Sequence, residues 1–304
     1  MLSSSVQHPR GRDWLVFALV PIFFSSNLVF GRGIADEVSP FLTAFIRWAG
    51  STLLIAPFLY HDWPRVAASF RHNKALWCGI GFTNIVICGG VVYWSLTLTT
   101  ASNATLIYTT SPLLIILFER LFAGRHVAGR ELAGILIALV GVIIIVLRGN
   151  FGALLELSFN PGDLGMLVAS VAFAIYSILL RQPAARTVAP LSLFGLVALT
   201  GSVLLLPLAI GELVYGGLLP HTGSAWSKLA GLILFASLAS FIGFQHTVRV
   251  FGPAMAGTAM YLMSPASIVM AVIFLGETFQ AYHAQGFVLV LGGVMLATIR
   301  PYRS

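Results

Sequence analysis

Asn103, Ile107 and Ser111 stand at four-residue steps, and Ala254, Thr258, Tyr261 and Pro265 at steps of four, three and four. On a helix each set shares one face. Amides, hydroxyls and a phenol thus line up inside stretches that are otherwise apolar. Such groups hold a neutral or zwitterionic solute by hydrogen bonds. Tyr261 leads the set, because Pro265 beside it removes one helix bond and can bend the chain. The carbonyl freed near Tyr261 either meets a solute or is satisfied by a neighbouring hydroxyl. Further candidates of the same chemistry are Asn27, Asn84, Tyr93, Trp94, Tyr176, Gln245 and His246. No metal-ligand spacing and no glycine-rich Lys-Ser/Thr nucleotide motif occurs, so no metal, cofactor or ATP-driven step is expected. Glu119, Arg120, Arg125 and Glu277 read as helix-end anchors or ion-pair partners rather than catalysts, and no enzymatic constellation stands out.

These residues need elements that cross a membrane. The chain has 304 residues, 58% hydrophobic and 9% charged, with mean hydropathy +0.93. Soluble domains carry roughly 25% charged residues. Residues 250–276 contain no charged side chain, which is long enough for a bilayer-crossing helix. Ten spans are expected: 14–33, 41–60, 75–97, 101–121, 131–148, 163–181, 190–210, 227–247, 252–275 and 282–299. The runs are too long and too continuous for barrel strands. The apolar run after Arg10 and Arg12 reads as the first span, not as a cleavable signal. Cys78 and Cys88 would lie about 15 Å apart on one helix, too far for a disulfide.

The formal charge of +7 does not suggest nucleic acid, because the basic residues are scattered singly between apolar runs. With the N-terminus in the cytoplasm, thirteen of them fall on that side: Arg10, Arg12, Arg65, Arg71, Lys74, Arg120, Arg125, Arg130, Arg181, Arg186, Arg249, Arg300 and Arg303. Three, Arg32, Arg148 and Lys228, fall outside. That asymmetry places both termini in the cytoplasm.

The halves repeat. Asp13 and Asp163 open the first and sixth spans, Pro40 and Pro190 precede the second and seventh, and Pro57 and Pro207 close them, all three pairs at one constant offset in number. Gly124, Gly134 and Gly141 match Gly276, Gly286 and Gly293 at an offset two larger. Five spans per half is an odd number, so the second copy is expected upside down relative to the first. The reading is an all-α polytopic membrane protein of ten transmembrane helices, built as two inverted five-helix repeats over residues 1–150 and 151–304. Inverted repeats around a polar midplane chamber point to a secondary transporter with a small-molecule substrate.

The segment PASIVMAVIFLGETFQAYHAQGFVLVLGGVML and its first-half counterpart SPLLIILFERLFAGRHVAGRELAGILIALVGVII resemble the EamA-type drug/metabolite transporters. SSNLVFGRGIADEVSPFLTAFIRWAG resembles the start of that family's first repeat. Arg125 stands where the second copy has Glu277, a departure from a carboxylate in both halves. The resemblance implies a chamber lined by the first, third, fourth, sixth, eighth and ninth spans. It implies a bacterial inner-membrane carrier, with export of amino acids as the leading expectation. Export of drug-like compounds or import of a small metabolite are the alternatives, and a non-transporting membrane scaffold is the reading from outside the transporters.

Three expectations concern particular side chains. Arg47, the single fixed charge within a span, sits about 9 Å deep counted from Phe41. It is read as snorkelling to the headgroups, with contact to an incoming carboxylate as the alternative. No acidic residue is expected deep in a span, so proton coupling through an embedded carboxylate has no support. The small-residue stripes of Gly134, Ala138 and Gly141 and of Gly286, Gly293 and Ala297 pack either within the fold or between two protomers of a homodimer.

Overall fold

The computed structural model describes residues 10–123, 129–150, 160–180, 182–247, 250–251 and 262–298, and every regular element among them is helical. In order these are α1 (Gly11–Ile34), α2 (Pro40–His61), α3 (Trp63–His72), α4 (Lys74–Leu98), α5 (Ala101–Tyr108), α6 (Ser111–Ala123) and α7 (Gly129–Val146). Then follow α8 (Pro161–Leu179), α9 (Pro183–Arg186), α10 (Pro190–Val214), α11 (Gly223–Thr247), α12 (Met263–Leu275) and α13 (Ala281–Thr298). Six of them, α1, α2, α4, α8, α10 and α11, are long and apolar enough to cross a membrane. Leu53, Val203, Ile273 and Phe274 are exposed on the outside of the bundle. That is the surface expected where lipid, not water, is the solvent. The protein is an all-α polytopic membrane protein.

Local chemistry sets the ends. Proline begins α2, α8 and α10, where its missing N–H is no loss. Thr100, Asn160 and Thr222 accept from the first-turn N–H groups of α5, α8 and α11 at 3.1, 2.7 and 2.9 Å. Gly276 closes α12 with φ +65°, a left-handed turn that suits glycine.

Four features depart from the sequence expectation. The link after α2 contains a helix, α3, with Val66 turned inward and Trp63 exposed. Pro57 and Pro207 do not close their spans; α2 runs on to His61 and α10 to Val214. Proline removes only one ladder bond, and an apolar surrounding favours continuing the helix. The fourth span is broken, since α5 ends at Tyr108 and α6 begins at Ser111. Three successive hydroxyls make the break tolerable: Thr109 donates to Thr105 O at 2.8 Å, Thr110 to Ile107 O at 2.7 Å and Ser111 to Tyr108 O at 2.6 Å. Finally, α4 widens to π-helical register over Phe82–Val91, and α11 does so over Leu232–Ala239. Phe82 and Leu232, where the two π segments start, are spaced in number like the matched proline pairs.

The halves lock together through acids at matched positions. Glu212, at the end of α10, accepts from the N–H groups of Phe41 and Leu42 at 3.1 and 2.8 Å. Asp62, its counterpart just past α2, accepts from the Ser192 hydroxyl of α10 at 2.8 Å. Each of these two helices thus presents a carboxylate to the start of the other, where negative charge is favoured. The last turn of α1 and the first turn of α8 both rest on the same end of α4: Gly31 packs on Tyr93 and Leu96, Gly165 on Trp94 and Ser95. The stripes on α7 and α13 face each other, with Gly141 against Leu289 and Val290, and Gly293 against the backbone of Gly134 and Ala138. Their small residues serve packing within the fold.

Candidate functional site

Arg47 does not reach outward. It is 5% exposed, and its guanidinium points into the crossing of α1, α2, α4 and α11. Nε donates to Ser237 Oγ at 2.8 Å, Nη1 to Asn27 Oδ1 at 2.5 Å and to Tyr93 Oη at 2.8 Å, and Nη2 to the Ala236 carbonyl at 3.1 Å. Tyr93 Oη in turn donates to Asn27 Oδ1 at 2.9 Å. The guanidinium carbon lies 4.5 Å from the Trp48 ring centroid. Depth along a helix says nothing about which way a side chain faces, and here the face is the interior.

The neighbouring helices explain how the cluster is built. Ser237 and Ala236 belong to the π segment of α11. Ser237 Oγ bonds back to Leu232 O, five residues earlier. That register turns both groups toward α2. Gly31, one helical turn beyond Asn27, lets the Tyr93 ring lie against α1. Among the described residues no carboxylate lies within ion-pair distance of Arg47. Four of the five guanidinium N–H donors meet neutral acceptors, and among the described residues the second Nη2 donor meets none. The arrangement is a buried, oriented cation with neutral neighbours, suited to receiving an anionic group.

Of the expected site residues, Asn27 and Tyr93 come together here. Tyr176 lies elsewhere, in an aromatic group between α5 and α8: Tyr108 and Phe173 centroids are 5.6 Å apart, Phe173 and Tyr176 5.7 Å. Cys88 of α4 closes that side by donating to Ala169 O. Asn84 is half-buried on α4, and among the described residues its amide has no hydrogen-bond partner. Trp94 is 38% exposed and points away from Tyr93, beside Gly165. Gln245 is half-buried, with no such partner among the described residues. His246 Nε2 is 2.9 Å from Asp13 Oδ1, tying the end of α11 to the start of α1. Ser111 is committed to Tyr108 O. Asn103 Oδ1 is 2.8 Å from His283 Nε2, at the start of α5. Thr258 and Tyr261 lie outside the described residues. Glu277 is an anchor as expected, accepting from the N–H groups of Ala101 and Ser102 at 2.7 and 3.2 Å.

The EamA-like transporter family model matches residues 13–147 and again 160–299. The chain belongs to the EamA-like transporter family. It is a membrane transporter of small molecules and not an enzyme. The uncharacterized transporter YyaM of Bacillus subtilis (strain 168) is 22% identical over 76% of this chain and 75% of its own length. An uncharacterized transporter of Archaeoglobus fulgidus is 23% identical over 97% and 100%. A probable terminal-alkyne amino-acid exporter of Streptantibioticus cattleyicolor is 25% identical over 71% and 73%. A solved crystal structure aligns over 95% of this chain and 97% of its own, with TM-score 0.62 and 20% identity, and shares the fold.

Proposed function

We propose that this carrier exports amino acids by alternating access, and that Arg47 receives the substrate carboxylate. The observation that carries the reading is the buried guanidinium whose partners among the described residues are all neutral, with one donor left over among them. A cation held in a desolvated site without a counter-charge is costly, and function is the usual reason for keeping one. A zwitterionic substrate would supply the missing anion. Asn27 and Tyr93 would set the pole that Arg47 occupies. The aromatic faces of Tyr108, Phe173 and Tyr176 would meet an apolar side chain, with Tyr261, Thr258 and Asn84 completing the chamber. The similarity to an amino-acid exporter supports the same class.

The proposed framework is ten spans in two oppositely oriented five-helix units, with both termini in the cytoplasm of a bacterium and the membrane its inner one. The double family match, the acids at Asp62 and Glu212, and the meeting of α1's end with α8's start support it. Transport rests on the two units rocking about the Arg47 site. The test is counterflow in proteoliposomes with a panel of labelled amino acids. Saturable exchange for at least one of them, competed by its unlabelled form, is expected. No exchange for any, alongside exchange of a neutral non-amino-acid solute, overturns the substrate class.

A further inference from the structure

Asp13 and Asp163 occupy the same position in the two halves, yet their surroundings differ. At Asp13 both carboxylate oxygens are engaged: Oδ2 accepts from Arg10 N–H at 2.8 Å, Oδ1 faces His246 Nε2 at 2.9 Å, and Arg12 Nε lies 3.7 Å away. Asp163 is fully buried, 0% exposed, and only Oδ1 has a partner, the Thr99 hydroxyl at 2.5 Å. Among the described residues its Oδ2 has no partner within hydrogen-bond distance, and neither has Nδ2 of buried Asn103 beside it. Among the described residues no cation lies within ion-pair distance of Asp163.

The orientation of Asn103 is set by its neighbours. His283 Nδ1 accepts from the Gln280 N–H at 3.1 Å, so Nε2 carries the ring proton and donates to Asn103 Oδ1. The Asn103 amide therefore turns its NH2 group toward the carboxyl. Two opposed demands meet at Asp163. The first turn of α8, the Thr99 hydroxyl and the Asn103 amide serve the anion, whereas full burial with no cation within ion-pair distance among the described residues serves the acid. A metal ion does not fit, since an amide donor stands where a further oxygen ligand would be needed. Among the described residues the other charged and titratable groups around this place are Arg148 just past α7, Tyr282 and His283 on α13, and Glu277 before it.

We propose that Asp163 is a proton-binding site of this carrier, loaded while its end of the bundle is packed shut and emptied when that end opens. In the closed state the carboxyl holds a proton. On opening, the O–H bond breaks, the electron pair stays on the carboxylate, and the proton passes to water. The coupling of this proton to solute movement rests on the carrier reading above; the protonation itself does not.

Two measurements test it on the full-length protein in phosphatidylethanolamine–phosphatidylglycerol vesicles. The first is the infrared difference spectrum in heavy water between about pH 5 and pH 9, a window above the ordinary aspartate range. A protonated-carboxyl band that titrates in the wild type and is missing in Asp163→Asn is expected. A band of equal strength in the variant overturns the site. Should Asp163→Asn fail to fold, Thr99→Val decides: loss of the hydroxyl shifts the midpoint of that band about ten-fold in proton activity, and an unmoved midpoint overturns the proposal. The second is uptake of labelled phenylalanine and alanine under an imposed pH gradient, beside their counterflow at equal pH. At least a ten-fold smaller gradient response in Asp163→Asn, without a matching loss of counterflow, is expected. Wild-type uptake that ignores the gradient, with counterflow present, overturns the coupling and leaves the carrier standing. Absence of counterflow sinks the carrier reading instead, and the infrared band then decides Asp163 alone.

Discussion

Arg47→Met separates a binding cation from a structural one. Breaking a buried ion pair typically costs about 3–5 kcal/mol, because one charge is left alone. Among the described residues Arg47 has no such pair, and each of its neutral partners keeps another hydrogen bond when the guanidinium goes. Asn27 Oδ1 still accepts from Tyr93 Oη, Ser237 Oγ still donates to Leu232 O, and Ala236 O still accepts from Ser240 Oγ at 2.8 Å. Methionine restores the stem volume and removes a desolvated charge. The variant should therefore match the wild type in thermal unfolding to within about 1 kcal/mol, or exceed it. Binding should suffer far more. A charge-assisted hydrogen bond to a carboxylate is worth about 1.5–3 kcal/mol, which is roughly 10- to 100-fold in affinity. The assay is competition of counterflow by phenylalanine and by phenylethylamine, which lacks the carboxylate. The wild type should prefer phenylalanine, and Arg47→Met should lose that preference. A variant that unfolds readily yet still prefers phenylalanine would refute the reasoning.

Three further outcomes follow from the same contacts. Glu277→Gln removes the charge that caps α5 through Ala101 and Ser102, and should lower stability by about 1–2 kcal/mol in thermal unfolding; no change would mean the cap is idle. Gly293→Ala should separate α7 from α13, since the added methyl would stand 2.5 Å from Gly134 O and 2.6 Å from Ala138 N, both backbone atoms that cannot swing aside; the readout is loss of a monodisperse peak in detergent. Glu37, in the link between α1 and α2, is held below the usual carboxylate range first by the Lys228 ammonium and then by the Thr222 hydroxyl. A depressed carboxyl contributes stability above its unfolded value, and that contribution fades as pH falls through the folded one. The stability gap between wild type and Glu37→Gln should be present at neutral pH and close below the ordinary glutamate value of 4.5; a gap that widens on acidification would contradict it.

The framework was legible because it rests on length, apolarity and spacing. Prolines, glycines and acids matched at a nearly constant offset need no knowledge of packing. The acids at 62 and 212 obey the same spacing and were open to the same reading. Direction was harder. Successive residues on a helix point about 100° apart, so Tyr93 and Trp94 were never going to serve one chamber together, nor Gln245 with His246. Arg47 was visible as a lone charge, but its face depends on the rotation of α2 against α11, which is set by Gly50 lying over Ile233. The π segments carry no compositional mark; their register emerges from packing. Asp163 looked like a helix-end acid because its depth was counted along the chain, whereas its burial comes from α4 and α5 crossing over it.

The central claim is that two halves of one design lie in the membrane in opposite senses around a shared polar site. Single cysteines at exposed Asp36 and Thr187, in a protein freed of Cys78 and Cys88, test it with a thiol reagent that cannot cross the bilayer. Labelling of D36C from the outer side alone and of T187C only after the membrane is opened is the expected pattern. Both cysteines reacting from the same side would contradict it.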